Sequence, residues 1–390
     1  MTKVSVEKIG TGIGDSLRDC LETIDIPDIQ GKCVLVKPNM GRVSSGTQGI
    51  VTSKPVIMAA VEYFLAQGAS QVLLGDSPIT GVDSITAFAS AGITHDCMPA
   101  GSELTDMDAD DPVSVDVPEG RLISSLKLCR TAAQADIIVS VPVMKTHMHS
   151  VVSLGLKNMK GCLYKKEKVT FHKLEGDTGG DKGLDIALSD MATVLLPDIT
   201  IIDGTVGMEG FGPSSGETVH PGLLAAGTDC IATDTVGARL MGFDPLQIPS
   251  LRLCAERGLG TSDADSIQVI PENYLDYMTE FKPAPCSIDV EYEGIYVYDA
   301  GACSACLSTV VLFLRRYRDE LVKLFGKEDI HIYIGDGNTV KDEKSTLLIG
   351  TCTSAHRGKG IFVQGCPPVA SAIIEQIRNI QKSSRASSTE

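Results

Sequence analysis

Four cysteines near the end of the chain, Cys303, Cys306, Cys352 and Cys366, form one CxxC pair followed by two single thiols after 45 and 13 intervening residues. Four thiolates suit either tetrahedral zinc or an iron–sulfur cubane, because both metals accept soft sulfur. Structural zinc sites usually pair two close cysteine knuckles, so one CxxC completed by two lone cysteines favours a single [4Fe–4S] cluster, with zinc or no metal as the alternatives. In Cys366-Pro-Pro the first proline stands where its missing N–H costs nothing and its fixed φ helps to start a helix. A thiolate at a helix start also gains from the dipole, which suits an anionic cluster.

A second chemistry-bearing stretch runs from Ser140 to Lys173, SVPVMKTHMHSVVSLGLKNMKGCLYKKEKVTFHK, and holds three of the seven histidines. Imidazole and ammonium groups at this density, in a protein of net charge −16, point to an anionic substrate or cofactor with proton transfer near neutral pH. His147, Lys157 and His172 are the candidates for that chemistry, and His149 for binding. Asp203 and Glu209, in DGTVGMEGFGP, offer a base or a cation ligand, or else a turn stabilised by Asp203 capping. In KPNMGR, Lys37, Asn39 and Arg42 follow a strand, and Arg42 can hold a carboxylate bidentately. Asp76-Ser-Pro reads more simply as ordinary turn chemistry.

The elements that must position these groups alternate. Strand signals over 32–37, 71–75, 135–141 and 199–203 are interleaved with helical patterns over 55–67, 84–91, 184–195, 230–241 and 248–257, the rhythm of βαβ units and a mainly parallel sheet. Each strand gives way to polar or Gly/Pro-rich sequence: KPNMGR, GDSPITG, PVMKTHMH and DGTVGMEGFGPSSG. Ligands of open parallel sheets gather beyond the carboxyl ends of the strands, so these loops are expected to wall one cleft. After a Pro-containing link, FKPAPCSIDVEYEG, a shorter α/β pattern follows, with strands over 294–298, 330–334, 346–349 and 360–364 and helices over 307–325 and 369–381. It sets each cysteine segment after a strand. The fold expected is α/β, a Rossmann-like mainly parallel sheet over 1–280 and a small C-terminal iron–sulfur domain over 290–381, with a disordered tail over 382–390.

The 390 residues suffice for two cores, and 43% hydrophobic with 22% charged residues is an ordinary globular balance. The acidic net charge argues against nucleic acid and anionic lipid as partners, since both reward basic patches. The chain has no long apolar run and begins on a strand-like alternation, so the cytoplasm is the expected compartment. In that compartment the twelve cysteines read as thiols or metal ligands, and the eight scattered ones as small hydrophobes. Abundant thiols and the absence of Trp suit an anaerobe.

The segment IFVQGCPPVASAIIEQI resembles the last cluster-binding stretch of the small iron–sulfur subunits of hydrogenases and quinone-reducing dehydrogenases. Over most of residues 1–270 the chain resembles the proteins grouped as domain of unknown function 362, through VLVKPNMG, VPVMKTH, SLGLKNMKGC and DGTVGMEGFGPSSG followed by AGTDCIATDTVGARLMGF. This resemblance implies iron–sulfur ligands, which many members carry, and no particular reaction. A more distant similarity is to nickel-pincer lactate racemases, in which a His precedes a cofactor-carrying Lys by ten residues and a nickel-binding His follows about sixteen later. Here His147 precedes Lys157 by ten and His172 follows by fifteen, while SLGLKN replaces the Gly-rich stretch of those enzymes. The similarity leaves a second metal in the N-terminal cleft open; no spacing supports one.

These readings combine into an iron–sulfur protein, expected to be a redox enzyme on a small anionic metabolite, with the cluster passing electrons and a redox protein as a further partner. The alternatives are a lyase, isomerase or racemase with a structural cluster, and a non-enzymatic electron carrier or metal-cofactor assembly protein. Neither the substrate nor the oligomeric state is legible.

Overall fold

The computed structural model describes residues 2–386 except 11, 80–81, 166, 172–173, 175, 177–180, 286–291, 303, 327 and 341–344. The chain divides into two units, Met1–Thr170 with Asp185–Pro283, and Phe171–Leu184 with Ala284–Glu390. The short piece Phe171–Leu184 groups with the C-terminal unit, an assignment that a linear reading of the sequence does not contain.

The first unit is built from β1 (Thr2–Lys8), β2 (Cys33–Pro38), β3 (Gln71–Asp76), β4 (Ser102–Asp106), the separate hairpin β5 (Pro112–Asp116) and β6 (Ser125–Cys129), then β7 (Ile137–Val141), β8 (Val143–His147), β9 (Val151–Ser153), β10 (Ile199–Glu209), β11 (Glu217–Val219), β12 (Leu223–Gly227) and β13 (Ile267–Ile270). Its main sheet runs β13-β1-β12-β10-β7-β2-β3-β4. The β10-β7, β7-β2, β2-β3 and β3-β4 pairs are parallel, and β12 runs antiparallel to both β1 and β10. The unit is thus mixed α/β with a mostly parallel sheet. Strands such as β7, IIVSV, buried at every position, are near-continuous apolar runs because helices cover both faces of such a sheet. Helix Lys54–Ala66 starts with Pro55 in its first turn and lays Val56, Ile57, Ala60, Val61 and Phe64, all fully buried, on the core.

Two expected loops are strands. KTH does not leave the sheet after Val141: β8 resumes beyond Pro142 and pairs with β10 at Val143↔Asp203 and Lys145↔Met208 across an irregularity. Correspondingly, β10 continues through DGTVGME to Glu209. The cause is local packing. Val143 and Met144 are apolar and buried, and Gly207 lets the Met144 carbonyl approach to where a Cβ would sit, 2.8 Å away.

The second unit is a four-stranded parallel sheet, β14 (Ile295–Tyr298), β15 (Ile330–Ile334), β16 (Thr346–Ile349) and β17 (Ile361–Val363), in that order. Helices Ser304–Phe325 and Ala370–Ala386 pack on each other. The second helix runs through Ala386, where the sequence predicts a tail without structure from Lys382. Its apolar stripe of Ile373, Ile374 and Ile377 is buried, and the polar residues that follow are compatible with continued helix.

Candidate functional site

β2 and β3 are adjacent parallel strands, so the side chains at their carboxyl ends meet. Lys37 is 1% exposed, and its Nζ stands 2.8 Å from Asp76 Oδ1. It also donates to Asn158 Oδ1 at 3.0 Å and to the Pro38 carbonyl at 2.8 Å. The second Asp76 oxygen accepts the Met40 N–H at 2.7 Å. Gly161 lies directly over this pair, and a Cβ there would collide with Asp76 Oδ1 and Lys37 Nζ. Asn158 completes the network by donating to the Lys37 carbonyl and to Ser140 Oγ, at 3.1 and 3.0 Å.

Beside this closed network is a group of cations that is much less well matched. Lys145, on β8, donates to Asn39 Oδ1 at 3.1 Å and to the Ile50 carbonyl at 2.8 Å. Burial, with repulsion from Arg42 and Lys157, lowers it to about 7. Lys157 sits on the short helix Gly155–Asn158, whose first N–H groups, on Gly155 and Leu156, donate to the buried Asp234 carboxylate at 2.7 and 2.8 Å. The Lys157 Nζ is closed off from solvent and has no hydrogen-bond partner among the described residues. Burial lowers it to about 8 against the opposing charge of Asp185. Lys160 is held well below the ordinary lysine range by burial and by repulsion from Lys157 and Lys168. Mutual repulsion among buried cations is the electrostatic signature of a place that an anion would stabilise.

His147 follows Lys145 by two residues on β8 and shares its face of the strand. Its Nδ1 accepts the His149 N–H at 3.0 Å, and the two rings meet edge to face with centroids 5.4 Å apart. The β8–β9 hairpin leans on the Gly210–Gly212 turn through Met148 N–H to the Gly212 carbonyl and Thr146 Oγ1 to the Gly210 carbonyl, each 3.1 Å.

The two expected carboxylates have partners of their own. Asp203, fully buried, accepts the Ser53 N–H at 2.8 Å and the Thr205 N–H and hydroxyl at 2.9 and 2.6 Å, tying the start of helix Lys54–Ala66 to β10. Burial raises it in spite of these bonds. Glu209 pairs with Lys282 at 3.0 Å and accepts that residue's backbone N–H at 2.9 Å. The structure therefore brings together Lys37, Asn39, Arg42 and Lys157, with His147 and His149 on the adjoining hairpin. It engages Asp203 and Glu209 in backbone ties, and His172 lies outside the described residues.

Sequence reasoning did not single out Lys145, Lys160, Asn158, Asp185 or Asp234, and set Asp76 aside as a turn residue. One signal was available. Lys145 precedes His147 by two, the spacing that puts both on one strand face, but only once KTH is recognised as strand.

In the second unit, Cys306 lies in the first turn of helix Ser304–Phe325, Cys352 follows β16 and Cys366 follows β17, all at carboxyl ends of parallel strands. Their segments are joined: the Gly350 N–H donates to the Val363 carbonyl and the Thr351 N–H to the Gly365 carbonyl, each 2.9 Å. Gly350 has φ +98°, a conformation that disfavours side chains, and a Cβ there would stand 3.5 Å from Cys306 Sγ. Cys306 is buried, Cys366 half-buried and Cys352 exposed. Cys303 lies outside the described residues, and among the described residues no three His, Cys, Asp or Glu side chains form a metal-binding group. The segments of Cys306, Cys352 and Cys366 thus adjoin one another, and thiols are the donor type that zinc or an iron–sulfur cluster accepts. Of the scattered cysteines, Cys20, Cys129, Cys162 and Cys254 are buried and pushed up to about 12 by burial, as small hydrophobes should be.

Fold and site define an α/β protein with a buried cationic group at the carboxyl ends of parallel strands. The chain belongs to the family described as Domain of unknown function (DUF362), whose model matches residues 34–239. It is similar to the thylakoid-associated protein sll1697 of Synechocystis sp. (strain ATCC 27184 / PCC 6803 / Kazusa), 30% identical over 242 residues, covering 60% of this chain and 71% of that protein. Among solved structures, the lactate racemase apoprotein from Thermoanaerobacterium thermosaccharolyticum aligns at 13% identity and TM-score 0.40, over 62% of this chain and 57% of that one. A Thermotoga maritima protein aligns at 15% identity and TM-score 0.35, over 63% and 58%. The chain thus spans less than two thirds of either solved structure. Among the described residues no helix is long and apolar enough to cross a membrane.

Proposed function

We propose that this protein is an iron–sulfur enzyme that binds a small anionic metabolite over Lys145, Lys157 and Arg42 and holds a [4Fe–4S] cluster on Cys303, Cys306, Cys352 and Cys366. The observation that carries the reading is the Lys157 ammonium, enclosed beside other cations with no acceptor among the described residues. A carboxylate or phosphate entering there would supply the missing acceptors and remove the repulsion. Asn39 fixes Lys145 from behind, and the Asp234 tie fixes the backbone that carries Lys157. When bound, the cluster would supply one-electron chemistry. His147, on the Lys145 face, is suited to moving a proton.

A second reading rests on the same lysines. Groups lowered to about 7 and about 8 form an acid–base pair poised near neutrality, which is what a racemase, isomerase or lyase needs without any electron transfer.

Two measurements test the proposal. Calorimetric titration with small carboxylates and inorganic phosphate should give binding that Lys145→Gln weakens at least tenfold; binding indifferent to that change would overturn the anion site. Anaerobically purified protein should carry iron and sulfide that Cys352→Ser lowers and Cys254→Ser does not, and equal iron in all three would overturn the cluster. Electron paramagnetic resonance separates the two enzymatic readings: a signal altered by substrate supports redox chemistry, whereas solvent deuterium entering the substrate with an unchanged signal supports proton transfer alone.

A further inference from the structure

Three features of Lys157 go beyond the binding of an anion. Its Nζ is enclosed and has no hydrogen-bond partner among the described residues, whereas the neighbouring Lys37, also enclosed, has three. Its backbone is anchored, because the N–H groups of the two residues before it are held by Asp234. Lys145 lies within electrostatic reach, with two acceptors among the described residues for an ammonium that has three N–H donors.

An ammonium at Lys157 would leave its donors without a hydrogen-bond acceptor among the described residues, with burial outweighing the opposing charge of Asp185. The neutral amine is less costly there, and it is a nucleophile. A lysine desolvated beside another cation is the arrangement that activates an amine toward carbonyl carbon. A molecule with a carboxylate next to a carbonyl would place its charge toward the third Lys145 N–H and its electrophilic carbon toward Lys157.

We propose that Lys157 is an imine-forming lysine whose substrate class is the small 2-oxo carboxylates. The proposal rests on the anion-site reading above. The Nζ lone pair forms a bond to the carbonyl carbon and the carbonyl π electrons pass to oxygen, which takes a proton to give the carbinolamine. The nitrogen then gives up its protons as the carbon–oxygen bond breaks, and water leaves. One amine and one carbonyl become one imine and one water, with no change in oxidation state. The lowering of Lys157 to about 8 is consistent with a useful fraction of free amine in mildly alkaline solution.

The test uses the full chain with pyruvate and glyoxylate as probes and cyanoborohydride to reduce any imine to a stable secondary amine, followed by peptide mass mapping. The adduct is expected on Lys157 in preference to surface lysines, with a pH profile rising at about 8. Lys157→Arg, which keeps a cation, should abolish it, and excess lactate or phosphate should suppress it by occupying the site. An adduct spread over exposed lysines, or one undiminished in Lys157→Arg, would overturn the proposal. Titration with lactate, which has no carbonyl, separates the two levels. Lactate binding without an adduct removes the imine and leaves the anion site standing, whereas neither binding nor adduct removes both.

Discussion

Lys37 and Lys157 are neighbours through Asn158, and both ammonium groups are enclosed, yet their surroundings differ. Lys37 is matched by a carboxylate at 2.8 Å, an amide oxygen at 3.0 Å and a carbonyl at 2.8 Å. Lys157 has no hydrogen-bond acceptor among the described residues; the charge of Asp185 opposes the effect of its burial, while Lys145 and Lys160 feel Lys157 as a repulsion. The first is built as a structural lysine, welding the ends of β2 and β3 to the Asn158 turn. The second, on the function proposed above, is a group that a ligand would complete. Burial alone distinguishes nothing here; the acceptors do.

The comparison breaks most visibly at Lys37. Lys37→Met should cost about 3–5 kcal/mol, because it strands the Asp76 carboxylate in the interior. Denaturant unfolding would measure it, and a loss below about 1 kcal/mol would mean that the network is not structural.

Lys157→Met should have the opposite sign. It replaces a tip that has no hydrogen-bond acceptor among the described residues with apolar volume of similar reach, and because burial outweighs the opposing charge of Asp185 the variant is expected to gain about 1–3 kcal/mol without ligand. The gain should depend on pH. With the folded value lowered to about 8 from the ordinary 10.5, the native state binds fewer protons than the unfolded chain between those values, so wild-type stability rises through that window. The advantage of Met is therefore full below about pH 8 and fades toward pH 10.5. Parallel unfolding curves at pH 6.5 and pH 10 check this, and an advantage that grew with pH would refute the assignment.

The smallest effect is expected at Glu209. Its partner Lys282 is 72% exposed, and Gln keeps an acceptor for the Lys282 N–H, so Glu209→Gln should change stability by no more than about 1 kcal/mol. Anion titration should be unaltered. A tenfold loss of binding would bring Glu209 back into the site as a functional carboxylate.

Much of the fold was legible because its elements follow simple patterns. The strands Ile330–Ile334 and Thr346–Ile349 fall where the apolar runs predict them, and Cys306, Cys352 and Cys366 follow strands, Cys303 lying outside the described residues. Less legible was whatever depends on partners far along the chain. Asp76 looks like a turn former in GDSP, and only the arrival of Lys37 from β2 and Gly161 from beyond β9 makes it half of a buried pair. Asp203 looks available in a Gly-rich segment, yet the backbone N–H of Ser53, 150 residues away, occupies it. KTH is too polar to read as strand. Its pairing to β10 is decided by Val143 and Met144 and by the glycines opposite. Residue types announced a cationic site, but which lysine is satisfied depends on contacts between distant segments.

A lysine placed for a ligand at the expense of stability, as proposed for Lys157, has a direct thermal signature. Melting temperatures of wild type and Lys157→Met would be recorded at pH 7 without added anion and with a saturating small carboxylate. A ligand at about 100 times its dissociation constant stabilises the native state by about 2.7 kcal/mol, enough to exceed the typical cost of one unmatched group. The account predicts a crossover, with the variant melting higher in the absence of anion and wild type melting higher in its presence. A variant that melts lower in both conditions, with an equal shift on adding anion, would show that Lys157 is a structural lysine and contradict the account.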